Sequence, residues 1–301
     1  PIERTSNAKL MTKSVLSPNP SDVRTQADVW KLGLALGILL LACYWQTISA
    51  TAVLLTSSED MAHGFFAPLV AGFLLWSNKD RLANGLSGPS LWAVPLLAAG
   101  ALLAVPASLG ASTTISRIGL LLSLAGSALV LGGTPLLKAV RFPLALLLYT
   151  FPIPAVLYGE ITLPLQLLAS RLAEMSFEML GYSVLREGNV IELANQKLSV
   201  VEACSGLRSL VTLSFFTAAY AYLMENRNWV RTLLFLAAIP SAILINAMRI
   251  TLTGVLGKIN PAWTKGTVHD VTGWVCFAIG FMIVLLIHLM VNRLTRKEKT
   301  A

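Results

Sequence analysis

Charged residues are scarce in this chain. Asp, Glu, Lys and Arg make up 13% of its 301 residues, against about 25% in a typical soluble domain. This scarcity excludes an ordinary soluble domain, and 55% of the residues are hydrophobic, with a mean hydropathy of +0.70. Runs with few or no charges approach the ~20 residues needed to cross a bilayer and cover residues 30–55, 91–110, 118–137, 142–157, 210–224, 230–248 and 271–291. The composition predicts a polytopic membrane protein.

Cysteine and histidine are scarce as well, with three of each. Three cysteines give no disulfide framework. The histidines lie far apart and share no short motif with a cysteine, so we expect no metal site and no cofactor. The sequence shows no cleavable signal-peptide pattern, so the first apolar run is expected to remain in the membrane.

Acidic residues are fewer than basic ones, 15 against 23, which gives a net charge of +8. The basic residues are spread over short loops, so they predict topology rather than nucleic-acid binding. With a cytoplasmic N-terminus and eight crossings, of which the short second one (61–76) is the weakest, fifteen of the 23 fall on the cytoplasmic side. We therefore predict a mobile cytoplasmic tail (1–29), one integral membrane domain (30–292) and a basic cytoplasmic tail (293–301).

One insertion, at about 158–203, is expected outside the membrane on the opposite face. Its first part repeats a polar residue every four positions against an apolar background, at Gln166, Ser170, Glu174 and Glu178. That period predicts an amphipathic helix in the membrane interface. Alternating residues at 190–193 and 198–201 flank a polar turn and predict a β-hairpin. The expected fold is thus all-α and polytopic, with about eight transmembrane helices, this amphipathic helix and a small hairpin.

Cys204 follows the hairpin and comes just before a long apolar helix that opens at Ser205-Gly206 and runs to about Met224. A helix N-terminus favours negative charge, and such an environment lowers a thiol pKa and increases the thiolate fraction. Cys204 is therefore a candidate nucleophile. The alternative is a small residue packed where a strand meets a helix.

The same topology places Arg249 and His269 at the outer ends of the next two spans. Ionisable residues at the edge of a span are functional candidates, although snorkelling of Arg249 and an interfacial position for His269 are the simpler explanations. Together the three side chains suit cysteine acyl transfer. The thiolate attacks a carbonyl, histidine moves protons, and arginine stabilises the thiolate or the oxyanion.

Several motifs resemble those of the exosortase family of bacterial inner-membrane transpeptidases. They are Glu202-Ala203-Cys204-Ser205-Gly206-Leu207-Arg208-Ser209-Leu210, Asn246-Ala247-Met248-Arg249-Ile250, His269-Asp270-Val271-Thr272-Gly273-Trp274, His63-Gly64-Phe65-Phe66-Ala67-Pro68-Leu69 and Gly188-Asn189-Val190-Ile191. The resemblance covers roughly residues 30–290. By position, it implies that Cys204, Arg249 and His269 are the catalytic residues.

The resemblance also implies a substrate and a location. Substrates would be exported proteins whose C-terminal sorting signal combines a Pro-Glu-Pro motif, a transmembrane helix and a basic cluster, in systems linked to exopolysaccharide production. The new C-terminus would pass to an envelope acceptor such as an amine. The protein would span the bacterial inner membrane, in contact with its lipids, with both termini cytoplasmic and the active site periplasmic.

Five further residues are candidates for supporting or substrate-binding roles: Glu202, Ser205, Arg208, Asn246 and His63. Arg208, four positions after Cys204, competes with Arg249 for the electrostatic role, and the family motif favours Arg249. Asn246 could orient Arg249, and Glu202 could pair with either arginine. His63 is either a substrate-positioning or a structural residue.

Two other functions stay open. Ser205 could be the nucleophile of an intramembrane serine protease that uses His269. Alternatively, the protein could be a non-enzymatic component of polysaccharide export or assembly.

Overall fold

The computed structural model describes residues 26–84, 87–108, 113–193, 196–200 and 206–297. Within these ranges the chain is mostly helical. The helices are α1 (Gln26–Ser57), α2 (Phe66–Ser77), α3 (Lys79–Asn84), α4 (Ala93–Ser108), α5 (Thr113–Leu146), α6 (Ala155–Met179), α7 (Leu207–Met224), α8 (Asn228–Ile259) and α9 (Gly266–Lys297). Short 3₁₀ turns cover Glu59–Phe65, Leu147–Thr150 and Pro261–Thr264. The strands are β1 (Val184–Glu187), β2 (Val190–Leu193) and β3 (Gln196–Ser199). The predicted tails (1–29 and 293–301) are described only in part: 26–29 belong to α1 and 293–297 to α9, and the rest lies outside the described residues.

Five helical segments in the described chain are long and apolar enough to cross a membrane. They are Asp28–Ser57, Thr113–Thr150, Leu207–Met224, Asn228–Ile259 and Gly266–Arg296. Two shorter apolar helices cover His63–Ser77 and Ala93–Val105. This confirms a multi-pass helical membrane protein. The number eight is not confirmed and stays a prediction.

A kink divides the longest of these segments. Gly132 and Gly133 have non-helical backbone angles, and Gly133 has φ +65°. A Cβ there would lie 2.4 Å from the Ser87 hydroxyl oxygen, so only glycine fits. Arg117, before the kink, donates to Thr51 at 2.9 Å, while Tyr149, after the kink, packs against Gly64. Both contacts lie near the C-terminal end of α1, so the chain reverses direction at the kink. The five long segments become six when the kinked one is counted as two crossings. If the two shorter apolar helices also cross the membrane, the number of crossings is the predicted eight.

The three strands form an antiparallel sheet in the order β1-β2-β3. The β2–β3 hairpin confirms the predicted one, with Val190 opposite Ser199 and Leu193 opposite Gln196. Its turn, 194–195, lies outside the described residues. The sequence prediction missed β1, which joins β2 through the two-residue turn Gly188-Asn189, where Gly188 has φ +64°.

Helix α6 is amphipathic as predicted, but its polar stripe faces the sheet. Gln166 and Ser170 are buried, and Gln166 accepts a hydrogen bond from Asn189 at 3.2 Å. Glu174 pairs with Arg186 of β1 at 2.6 Å. The outward side is apolar and includes exposed Met175, which suits contact with lipid. We call α6 and the three strands together the α6–sheet unit.

The α6–sheet unit packs on the C-terminal half of α8. Phe177, Leu198 and Ile250 belong to one buried cluster. Gly254 allows the close approach, because a Cβ there would lie 2.5 Å from the Phe177 ring. Gln196 adds a hydrogen bond from its side-chain amide to the Gly254 carbonyl at 2.6 Å. These contacts fix β3, the strand that leads toward residues 201–205.

A polar cluster, the Glu225 network, joins the other ends of α7, α8 and α9. Glu225 is only 7% exposed and forms a two-point ion pair with Arg227, at 2.7 and 3.0 Å. His288 contacts Glu225 at 3.3 Å and bonds the Tyr220 hydroxyl at 2.7 Å. Arg227 also donates to Thr295 at 2.8 Å and contacts Asn292. Hydrogen bonding from Arg227 holds the pKa of the Glu225 carboxyl well below its usual range. The network links three helices by charge-assisted bonds.

Candidate active site

Arg249 and His269, which the sequence predicted at the same membrane face, are in direct contact. Arg249 lies on α8, and His269 lies in the first turn of α9, after the short turn Pro261–Thr264. The Arg249 Nη2 and His269 Nε2 atoms are 2.8 Å apart, and both residues are half-buried. The antiparallel pairing of α8 and α9 therefore produces one polar site from two distant motifs.

This hydrogen bond fixes the protonation of the histidine. A guanidinium can only donate, so Nε2 of His269 must accept and cannot bear a proton. In this geometry His269 is neutral, with its proton on Nδ1. Nδ1 is buried and has no hydrogen-bond partner within the described ranges. The ring is therefore held by Arg249 from one side only.

The guanidinium of Arg249 packs against α9 at Gly273. Gly273 lies four residues after His269, on the same face of α9. A Cβ at Gly273 would lie 3.2 Å from Nη2, 3.3 Å from Cζ and 3.5 Å from Nε of Arg249. The guanidinium thus rests directly on the α9 backbone, a position that a side chain at 273 would obstruct.

The start of α7 approaches the same place. Gly206, the N-cap, has φ +62°, and a Cβ there would lie 3.1 Å from the Asn246 side-chain nitrogen. Asn246 is 2% exposed, and its amide has no hydrogen-bond partner in the part of the chain that the structure describes. Arg208, in the first turn of α7, lies within electrostatic range of His269. Described residues on α7, α8 and α9 therefore converge here.

Three predicted site residues, Cys204, Glu202 and Ser205, lie outside the described residues. The other two cysteines are free thiols: Cys43 is exposed and Cys276 is buried. Within the described ranges no group of three His, Cys, Asp or Glu residues could hold a metal ion.

His63 lies in the 3₁₀ turn Glu59–Phe65 and is buried. Its ring packs edge-on against Tyr149 at 6.4 Å, and Tyr149 in turn donates to Ser214 of α7 at 3.2 Å. The neighbouring Gly64 is tightly enclosed, because a Cβ there would lie 2.8 Å from the Tyr149 carbonyl oxygen. The His63-Gly64 motif therefore packs the first helices against α7.

The prediction from sequence gave no role to Gly273. The spacing of four residues from His269 indicates that Gly273 lies on the same face of α9. Its contact with the Arg249 guanidinium depends on how closely α8 approaches α9, and no local sequence pattern indicates that distance.

The protein is therefore a polytopic membrane protein with a half-buried polar site where three helices meet. The chain belongs to the transmembrane exosortase family, whose model matches residues 45–286. Searches of curated proteins and of solved structures gave no match. Family membership supports a membrane peptidase or transpeptidase that processes exported proteins.

Proposed function

We propose that the protein is a membrane cysteine transpeptidase that cleaves exported proteins through a thioester on Cys204. The observation that most supports this is the 2.8 Å Arg249–His269 hydrogen bond beside the start of α7. Cys204 stands two residues before Gly206, and two residues of chain span at most about 7 Å. Gly206 contacts Asn246, one helical turn from Arg249, and this chain connectivity supports a nucleophile close to Arg249 and His269.

The reaction follows from the residue chemistry. The Cys204 thiol loses its proton to His269, and the thiolate attacks the carbonyl carbon of the substrate peptide bond. The carbon–nitrogen bond breaks, His269 returns the proton to the leaving amine, and a thioester remains. An amine or water then attacks the thioester and regenerates the thiol.

Arg249 changes partner in this scheme. While it donates to His269 Nε2, that nitrogen cannot take a proton. The carbonyl oxygen of the bound substrate replaces Nε2 as the acceptor of the Arg249 hydrogen bond, so Nε2 is free before the Cys204 proton is transferred. Arg249 then stabilises the oxyanion as negative charge develops on that oxygen.

The substrate signal and location extend the proposal. A C-terminal Pro-Glu-Pro signal, an amine acceptor in the envelope and a link to exopolysaccharide fit family membership. The excess of Lys and Arg in predicted cytoplasmic segments supports an inner-membrane protein with cytoplasmic termini and a periplasmic site.

Cys204→Ala tests the proposal, with Cys276→Ala as the matched control. Processing of a co-expressed exported substrate should stop in Cys204→Ala and continue in Cys276→Ala, while membrane insertion is equal. Trapping of the acyl-enzyme on Cys204 would be the positive result. Retained processing in Cys204→Ala with loss in Ser205→Ala would identify a serine peptidase. Retention in both would leave a non-enzymatic role in export.

A further inference from the structure

A cavity of about 350 Å³ lies between the sheet and the C-terminal end of α8. Its lining includes Tyr182, Ser183, Gln196, Gly257 and Lys258. The volume is within the range of small-ligand pockets. The Lys258 ammonium is held 4.4 Å above the centre of the Tyr182 ring, so one positive charge stands at a fixed place on the cavity wall.

The basic residues of this region differ in their partners. Arg186 is paired with Glu174, and Lys197 is paired with Glu192. Lys258 has no carboxylate within ion-pair distance among the residues described here. Of these three cations, Lys258 alone leaves its charge available to a ligand, and it is the one that lines the cavity.

Two elements, α8 and β3, extend from the cavity toward the candidate active site. Along α8, Lys258 is nine residues beyond Arg249, or about 14 Å. Along β3, Gln196 lines the cavity, and Val200, just after the strand, packs in the same cluster as Ile250. An extended peptide covers about 3.3–3.6 Å per residue, so at least about four residues separate a group in the cavity from one at Arg249.

We propose that this cavity binds a carboxylate side chain of the polypeptide substrate, four or more residues from the bond that is cut. The inference rests on the proposed function, because it assumes that a polypeptide is cleaved beside Arg249 and His269. The ammonium of Lys258 pairs with the carboxylate, and the Tyr182 ring and the Ser183 hydroxyl complete the lining. Distance from the reacting bond makes this a site for substrate capture rather than for chemistry.

The experiment compares two series of reporter substrates in membranes, and every reporter carries a transmembrane sorting segment. In one series a single glutamate stands at successive positions four to eight residues from the cut, and in the other series a glutamine stands at the same positions. The enzymes are the wild type, Lys258→Met and the matched control Lys197→Met. Lys197→Met removes the same charge from a cation that already has a partner.

At one register, the wild type should process the glutamate reporter with a KM about two- to fivefold lower than that of the glutamine reporter, the size of an exposed ion pair. Lys258→Met should abolish the difference and leave kcat unchanged, while Lys197→Met preserves it. An equal glutamate preference in wild type and Lys258→Met, or none at any register in the wild type, overturns the inference. In those outcomes the proposed function stands, because it fails only if Cys204→Ala processes the reporter as well as the wild type does.

Discussion

The planar guanidinium group of Arg249 contacts both His269 and Gly273. Its Nη2 donates to His269, and the same nitrogen lies against Gly273 together with Cζ and Nε. A lysine keeps the charge but has no planar fork.

We expect Arg249→Lys to lower kcat by about 10²–10³-fold, as loss of an oxyanion donor does. Arg208→Lys should have a smaller effect, because the proposed mechanism assigns the oxyanion to Arg249. Single-turnover processing of a substrate would measure both. A larger loss in Arg208→Lys would assign the role to α7 instead of α8.

Sequence could predict Arg249 and His269 at this scale, because each stands in a motif of unusual polarity within an apolar run. Their direct contact and the tautomer of His269 could not be predicted, because both depend on the rotation of α8 against α9. The burial of Asn246 beside Gly206 depends on the packing of α7 against α8 in the same way.

At the scale of elements, the α8–α9 interface offers a matched pair of glycines. Gly273 and Gly280 lie two turns apart on α9, and a Cβ at either would contact α8. The distances are 3.2 Å to Arg249 Nη2 and 3.1 Å to Ile245 Cγ1. The two alanine variants therefore disturb packing similarly, but only one displaces a candidate catalytic group.

We expect Gly273→Ala to lower kcat about tenfold, since small misplacements of reacting groups are costly, while KM and the thermal midpoint in detergent change little more than in Gly280→Ala. Gly280→Ala should keep its kcat. Equal kcat losses in the two variants would mean that Gly273 has only a packing role.

Elements with strong local patterns were predictable, and those set by packing were not. Periodicity predicted α6, and alternation predicted the β2–β3 hairpin. Strand β1 was missed because its four residues do not alternate between apolar and polar side chains. It is a strand because it pairs with β2. A reversal was predicted between the runs 118–137 and 142–157, where Lys138 and Arg141 interrupt the apolar sequence, but the structure places it earlier, at Gly132-Gly133.

At the scale of the whole molecule, the ion pairs and hydrogen bonds of the Glu225 network hold α7, α8 and α9 together. Its pH dependence has a definite sign. Hydrogen bonding from Arg227 lowers the pKa of Glu225 in the folded protein below the ordinary value of 4.5. The stabilisation is therefore complete above that value and is lost as the pH falls below it.

We expect Glu225→Gln to lower the thermal midpoint in detergent at pH 7, and the difference from wild type to shrink as the pH drops below 4.5. Thermal unfolding across that range measures it. A difference that is independent of pH would show that the carboxylate charge contributes nothing. Arg231→Gln is a useful comparison, because Arg231 bonds the Glu225 backbone carbonyl at 2.6 Å rather than the carboxylate.

In the proposed mechanism, the Arg249–His269 hydrogen bond also decides when the site is complete during synthesis of the chain. Translation proceeds from the N-terminus, and the two partners lie on the last two helices of the described chain. A nascent chain that has been made up to Ile259 already contains the α6–sheet unit, Asn246 and Arg249, but it lacks the histidine. In the proposed mechanism the site is therefore complete only once α9 has packed beside α8, so an unfinished chain that ends before His269 is inactive.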